Sequence, residues 1–212
     1  MLKKRLKRSL IIGISASILV NGLVFLWLAS SSFSWGIPLP GIEVTLLLAV
    51  FMLFLMLVGV ALTVLSRTRA KGLVLICTGL VFVLTFIVAQ RAGHSVRMLG
   101  FQDFAARAAP LVAAIREYSQ EYGRPPAELE RLVPDFLPAI PSTGVGSAPN
   151  FRYITGDRAL QNYHGNPWVL QLNVPTGMIN WDILVYYPLQ NYPTAGHGGV
   201  FEPVVDWAYV YE

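Results

Sequence analysis

The sequence predicts three transmembrane α-helices followed by an α+β domain, in which a long amphipathic helix packs on an antiparallel sheet of about four strands. The chain has 212 residues and is 54% hydrophobic but only 13% charged, which is too apolar for an ordinary soluble protein. The excess lies in charge-free runs within residues 1–90, whereas residues 91–212 have a globular composition. We therefore expect a membrane anchor over 1–90 and one soluble domain over 91–212.

The anchor contains three apolar runs, at about 10–29, 44–65 and 72–89. At 1.5 Å per residue, each is long enough to cross a hydrocarbon core of about 30 Å. A backbone in lipid must satisfy its own hydrogen bonds, so each run is expected to be helical. The first run has the basic start of a signal peptide, but its apolar stretch is too long for one, and we interpret it as an anchor.

The basic residues predict the direction of the spans. Residues 1–90 carry eight Lys and Arg against one acid, Glu43, and none of the eight lies in the link 30–43. Basic loops stay in the cytoplasm, so the N-terminus and the link 66–72 are expected there, with residue 91 onward outside. Residues 91–212 carry eight Arg against eleven acids, so the basic pI does not indicate nucleic-acid binding. The basic residues that set the direction are Lys3, Lys4, Arg5, Lys7, Arg8, Arg67, Arg69 and Lys71.

The soluble domain begins with an amphipathic helix over about 95–122. Apolar residues recur there at spacings of three and four, which is the helical period. Pro110 interrupts the pattern, so the helix either kinks there or restarts, and Gly123 is expected to end it. The residues of the stripe are Phe101, Phe104, Ala108, Leu111, Ile115, Tyr118 and Tyr122.

The remainder predicts a proline-bounded helical turn and then strands. Leu129, Leu132 and Val133 lie between Pro126 and Pro134, and a Gly/Ser/Pro loop follows over 142–150. The alternation of Trp168, Leu170, Leu172 and Val174 is typical of a strand with one buried face. A long loop is expected over 188–203. The predicted strands are 151–154, 168–174, 183–187 and 204–211.

Three tyrosines are candidates for an interaction surface. Tyr186 and Tyr187 are adjacent in a predicted strand, where successive side chains point to opposite faces, so at least one is expected to face water or a partner. Tyr211 near the C-terminus joins them, since Tyr is enriched at interfaces. Core packing on the helix is the alternative. In the membrane, Gly59 with Thr63 and Ser15 with Asn21 and Gly22 offer small or polar residues for helix packing.

Motifs of enzyme chemistry are missing from the sequence. Cys77 is the single cysteine, so an internal disulfide is impossible. His94, His164 and His197 lack the spacing of zinc ligands, and no Gly-x-Ser-x-Gly or phosphate-loop motif occurs. We therefore predict no catalytic residue, no metal site and no cofactor.

A resemblance to a known family rests on the end of the helix and on the segments after it. Residues 113–118, 122–126 and 129–141 carry a helix ending in Tyr122-Gly123, a proline pair and leucine-rich turns, and Trp207-Ala208-Tyr209 is similar to a closing strand. Over about 72–212 the chain resembles type IV pilins and, more closely, the pseudopilins of type II secretion. Prepilins carry a Glu near the start of their apolar helix, and Cys77 stands at that position here. This difference favours interpreting the segment around it as a basic loop that enters a membrane helix, and not as a processing site.

The resemblance implies a bacterial inner-membrane protein with a periplasmic domain. Pseudopilins also hold calcium near the C-terminus. Four acidic residues of this chain could supply the oxygen ligands that calcium prefers, although the capping of turns is their favoured role. We expect a non-catalytic envelope protein whose partners are the lipid bilayer and another envelope protein, with homo-oligomerisation as an option. A ligand-sensing module is the alternative, and a membrane-edge enzyme ranks last. The acids in question are Asp157, Asp182, Glu202 and Asp206.

Overall fold

The computed structural model describes residues 2–34, 42–176, 180–193 and 199–211. Within these residues, three helices are long and apolar enough to cross a membrane. They are α1 (Leu2–Ser30), α2 (Ile42–Val64) and α3 (Arg69–Tyr122). The three predicted apolar helices are confirmed, and their length and composition are those of a membrane protein.

Helix α3 is a single element of 54 residues that contains both the third apolar run and the amphipathic stripe. Pro110 lies inside it, so no new helix begins there. Gly123 follows with a φ of 69°, a left-handed conformation that glycine adopts without steric cost. The predicted end of the helix at this glycine is confirmed.

The chain packs as two compact units, and α3 contributes to both. The first unit contains α1 up to Ala29, α2, and α3 up to Val96. In it, the backbones of α2 and α3 meet closely, because a Cβ atom on Gly59 would lie 2.9 Å from the carbonyl oxygen of Gly72. Asn21 joins α1 to α3 by donating from Nδ2 to the Phe82 carbonyl oxygen at 3.1 Å and to Thr85 Oγ1 at 2.7 Å.

The second unit begins at Arg97 and also includes residues 30–34. Its described residues form one antiparallel sheet of five strands in the order β1-β2-β3-β5-β4. A 3-10 turn over Leu129–Leu132 matches the predicted proline-bounded turn. The elements in chain order are β1 (Arg152–Thr155), α4 (Asp157–Asn162), β2 (Trp168–Asn173), β3 (Ile183–Tyr186), β4 (Val200–Val204) and β5 (Trp207–Tyr211).

The strand prediction was wrong near the C-terminus. The predicted single strand over 204–211 is a hairpin, since Val204 pairs with Trp207 across a turn in which Val205 has a φ of 56°. Residues 200–203, which were expected to lie in a loop, form β4 together with Val204 at the edge of the sheet. The edge position accommodates Pro203, which has no N–H to donate to a neighbouring strand. The helix α4 was also missed.

One face of the sheet, which we call the helix face, packs on α3. Phe101 lies with its ring centroid 5.1 Å from that of Tyr209, and Phe104 lies 4.8 Å from Trp207. The predicted packing of the amphipathic helix on the sheet is confirmed by this core. Its largest fully buried side chains include Phe101, Phe104, Leu111, Ile115, Leu132, Leu170, Leu172, Leu184, Tyr186 and Tyr209.

The opposite face, which we call the distal face, carries a second buried cluster. Val169 of β2 is as fully buried here as Leu170 is on the helix face, so the expectation of one buried face for β2 was wrong. The reason is that Ala159 of α4 and Tyr192 pack over the distal side of the sheet. The cluster consists of Ile154, Ala159, Val169, Val185, Tyr187, Ala208 and Val210.

Candidate binding site at the end of the sheet

A buried ion pair ties α3 to the sheet in the second unit. Arg97 Nη1 donates to Asp182 Oδ2 at 3.1 Å, and both side chains are almost wholly buried. Arg97 also donates to the Tyr209 hydroxyl and to the carbonyl oxygen of Val174, while Thr176 Oγ1 donates to Asp182 Oδ2 at 3.0 Å. Two almost wholly buried charges are therefore held by several hydrogen bonds, as a buried pair requires.

Aromatic rings surround this pair. The guanidinium carbon of Arg97 lies 4.9 Å from the ring centroid of Phe101 and 5.0 Å from that of Tyr209. The Tyr209 hydroxyl donates to Asp182 Oδ2 at 2.9 Å. Burial raises the pKa of Tyr209 well above its usual range, although the Arg97 charge opposes this, so the hydroxyl remains a donor at neutral pH.

A cavity of about 560 Å³ opens beside this network, at the end of the sheet and on its distal face. All of its lining residues belong to the second unit. They come from the end of β2, the start of β3, the end of β5 and the residues around them. The lining consists of Arg152, Tyr163, Gln171, Asn173, Pro175, Asn180, Trp181, Asp182, Ile183, Gly199, Val210 and Tyr211.

Three buried oxygen atoms of the lining residues lack a hydrogen-bond partner within the described part of the chain. They are Gln171 Oε1, Asn180 Oδ1 and Asp182 Oδ1. All three are hydrogen-bond acceptors. Asp182 Oδ1 is a carboxylate oxygen, and the two amide oxygens are identified by the nitrogens beside them, which donate. Gln171 Nε2 donates to Asn173 Oδ1 at 3.3 Å, and Asn180 Nδ2 donates to Asp182 Oδ2 at 3.2 Å. A buried acceptor without a donor costs about 1–3 kcal/mol. Each of these atoms has almost no accessible surface, so the three oxygens belong to the buried polar network beside the cavity and not to its open wall.

The rim of the cavity combines exposed apolar area with charge. Trp181 is 75% exposed, which is unusual for so large an aromatic side chain. Arg152 of β1 is exposed, and Tyr211 of β5 is half-buried. Trp, Tyr and Arg are the residue types that most often dominate binding energy at recognition surfaces. The cavity therefore has the composition of a binding site.

Of the three tyrosines predicted to form an interaction surface, two are buried. Tyr186 lies on the helix face, where its ring stacks on Trp168 at 5.5 Å and its hydroxyl accepts from Arg116 at 2.5 Å. Tyr187 lies on the distal face under Tyr192, with ring centroids 4.8 Å apart. The expectation that at least one of them faces solvent was wrong, because the chain covers both faces of the sheet.

The residues weighed for metal binding or catalysis are not brought together. Within the described residues, no group of three or more His, Cys, Asp or Glu is placed to hold a metal ion. Asp182 is engaged by Arg97, whereas Asp157 starts α4 and Glu202 lies in β4. His164 has a φ of 53° in a loop, and His197 lies outside the described residues.

Sequence reasoning missed Arg97, Gln171, Asn180 and Trp181. For Arg97 a signal was present, because it precedes Phe101 by four residues and therefore continues the apolar stripe of the helix. A cation at a core-facing position indicates a buried partner. For the cavity residues no comparable signal exists, since they meet only when β2, β3 and β5 pair.

Fold and site together define a membrane protein with three apolar helices and a small antiparallel sheet, beside which lies a largely apolar cavity with a few polar side chains in its lining. Comparison of the chain with known protein families, with curated proteins and with solved structures finds no match. Its function is therefore argued from the site.

Proposed function

We propose that this chain is a non-catalytic recognition protein of the bacterial cell envelope. Its three helices anchor it in the inner membrane, and its second unit binds a ligand or partner on the periplasmic side. The observation that carries the proposal is the cavity at the end of the sheet, with Gln171, Asn173 and the exposed Trp181 in its lining. Of the two non-catalytic functions expected from the sequence, presentation of a protein-binding domain and capture of a ligand, a concave, largely apolar site with a few polar side chains favours the second.

The orientation rests on the distribution of basic residues. Five precede the first span and three lie between the second and third, while the link between the first and second has none. This asymmetry supports a cytoplasmic N-terminus, and three crossings then carry the second unit outward.

A pseudopilin-like role in assembly is the second candidate. Helix α3 supports it, because one continuous helix carries an apolar run and then packs on an antiparallel sheet, as the resemblance implies. In this case the partner is another envelope protein or a second copy of the chain.

Orientation is tested with reporters. A phosphatase that is active only in the periplasm is fused after Glu212, and the matched control carries it after Ser66 in the link expected to be cytoplasmic. We expect activity from the first fusion and little from the second. The reverse pattern would overturn the periplasmic assignment.

Recognition is tested by photo-crosslinking in intact cells. A photoreactive amino acid replaces Trp181 at the cavity, and the control places it at Leu160, an exposed residue of α4 that does not line the cavity. We expect a defined adduct from position 181 alone. Equal labelling at both positions, or no adduct at 181, would contradict a recognition function for this cavity.

A further inference from the structure

We infer that the end of α3 and the turn after it bind a positively charged protein segment, whose arginine side chains stack on exposed aromatic rings and pair with the carboxylates beside them. We call this region the tip surface, and it is defined by Tyr118, Tyr122 and Phe136 with Glu121 and Asp135. It shares no residue with the lining of the cavity at the end of the sheet, so the inference goes beyond the proposed function.

The tip surface is built on three aromatic rings that meet at the last turn of α3. The ring centroid of Tyr118 lies 4.5 Å from that of Tyr122 and 5.3 Å from that of Phe136. Tyr118 and Phe136 are half-buried and pack against the core on the helix face, whereas Tyr122 is 54% exposed. The group is therefore held by the core on one side and presents apolar area to solvent on the other.

The spacing of the rings favours a protein partner over a small molecule. All three centroid separations lie between 4.5 and 6.2 Å, so the rings contact one another and leave no room for a ligand between them. Small-molecule sites are concave and enclose most of their ligand. Exposed tyrosine at an open surface is typical of interfaces with another chain.

The charge around the rings selects the partner. Residues 117–135 carry five acids and two arginines, a net charge of −3, and all five acids are exposed. None of the five carboxylates forms an ion pair within the described part of the chain. A basic segment is attracted to such a surface, whereas an acidic segment or an anionic lipid surface is repelled. The acids are Glu117, Glu121, Glu128, Glu130 and Asp135.

Two of these carboxylates act on the exposed ring itself. Glu121 raises the pKa of Tyr122 above its usual range, with a smaller contribution from Asp135, so both charges lie near the hydroxyl group. Glu117 and Glu121 are four residues apart on the helix, where like charges repel each other. A cation bound here relieves that repulsion.

Arginine fits this arrangement better than lysine. Its planar guanidinium group stacks on an aromatic ring and donates two hydrogen bonds to a carboxylate, so one side chain can contact Tyr122 and Glu121 together. Lysine has a compact charge without a planar face and makes these contacts less well.

The test uses the full chain in nanodiscs of a zwitterionic lipid and a fluorescently labelled peptide of alternating arginine and serine. Fluorescence anisotropy measures the dissociation constant, and empty nanodiscs correct for binding to lipid. We expect the arginine peptide to bind more tightly than a lysine peptide of equal charge, and a glutamate peptide of equal length not to bind. Failure of the arginine peptide, or a lysine peptide that binds as tightly, would overturn the inference.

Variants assign the binding to the tip surface. We expect Tyr122→Ala and Glu121→Gln each to weaken binding of the arginine peptide about fivefold, the effect of losing one cation–π contact or one exposed ion pair. Tyr122→Phe keeps the ring and should retain most of the binding. Both residues are exposed, so these changes leave the core intact.

Two matched controls lie outside the tip surface. Asp103→Asn removes an exposed charge elsewhere on α3, and Trp181→Ala removes an exposed ring at the cavity, and both should leave the affinity for the arginine peptide unchanged. Equal effects of Asp103→Asn and Glu121→Gln, or unchanged affinity in Tyr122→Ala, would overturn the assignment.

Discussion

Arg97 links α3 to the end of the sheet in the second unit. It lies on the apolar stripe of α3, is almost fully buried, and reaches Asp182, Tyr209 and the Val174 carbonyl oxygen at the end of the sheet. A buried ion pair is weak support for stability when compared with apolar packing, but loss of one partner leaves an uncompensated charge in the core. The bond from Arg97 also positions Asp182 beside the cavity.

Replacement of Arg97 by Met tests this role. We expect the free energy of unfolding of the full chain in detergent to fall by about 3–5 kcal/mol, because Asp182 is left charged and buried. Asp182→Asn in the same chain removes that charge and should recover part of the loss. Arg158→Met, on the exposed surface of α4, is the matched control and should change stability by less than about 0.5 kcal/mol. Equal effects of Arg97→Met and Arg158→Met in chemical denaturation would contradict the assignment.

At the scale of elements, the helical unit is organised by close backbone contacts. Gly59 and Gly72 bring α2 against α3, and the Thr63 side chain packs where a Cβ atom on Gly72 would lie. The expectation that Gly59 and Thr63 serve helix packing is thus confirmed, and the partner is a helix of the same chain. Between apolar helices in lipid, such contacts replace the hydrophobic effect as the source of association.

Gly59→Leu should therefore destabilise the packing of α2 on α3. Overpacking costs about 1–3 kcal/mol, and the contacted atoms include backbone that cannot move aside. Gly22→Leu on α1 is the matched control, because a Cβ atom there would meet nothing within 4 Å. We expect a lower unfolding midpoint for Gly59→Leu in mixed micelles titrated with sodium dodecyl sulfate. The midpoint of Gly22→Leu should be unchanged or slightly higher, since Leu favours helix over Gly.

For the whole molecule, the sheet with its two buried faces makes stability sensitive to alkaline pH. Burial raises the pKa of Tyr187 to about 12 and also raises the pKa values of Tyr153, Tyr192 and Tyr209. Tyrosine in an unfolded chain ionises at about pH 10. Above that pH the unfolded state releases protons that the folded state retains, so the free energy of unfolding decreases as pH rises.

We expect the contribution of these tyrosines to stability to be constant below about pH 10 and to be lost progressively above it. Chemical denaturation of the full chain between neutral and strongly alkaline pH measures this. Tyr187→Phe removes one of the groups, so its stability should decline less steeply than that of the unmodified chain. Parallel declines in the two proteins would show that Tyr187 does not contribute.

Features set by a contiguous stretch of chain were predictable from the sequence. The three membrane helices follow from uncharged runs, the end of α3 follows from Gly123, and the short turn before Pro134 follows from its flanking prolines. Each depends on residues that are neighbours in the chain, and their hydropathy or backbone freedom decides the outcome with little help from distant contacts.

Features that depend on distant pairing were decided by the tertiary structure alone. The strand β4 forms because β5 is there to pair with it, and Tyr186 and Tyr187 are both buried because α3 covers one face of the sheet while α4 and Tyr192 cover the other. Arg97 and Asp182 are 85 residues apart in the chain. The cavity likewise joins residues of β1, β2, β3 and β5. Burial and hydrogen-bond satisfaction are properties of the assembled layers, so no local pattern of residues specifies them.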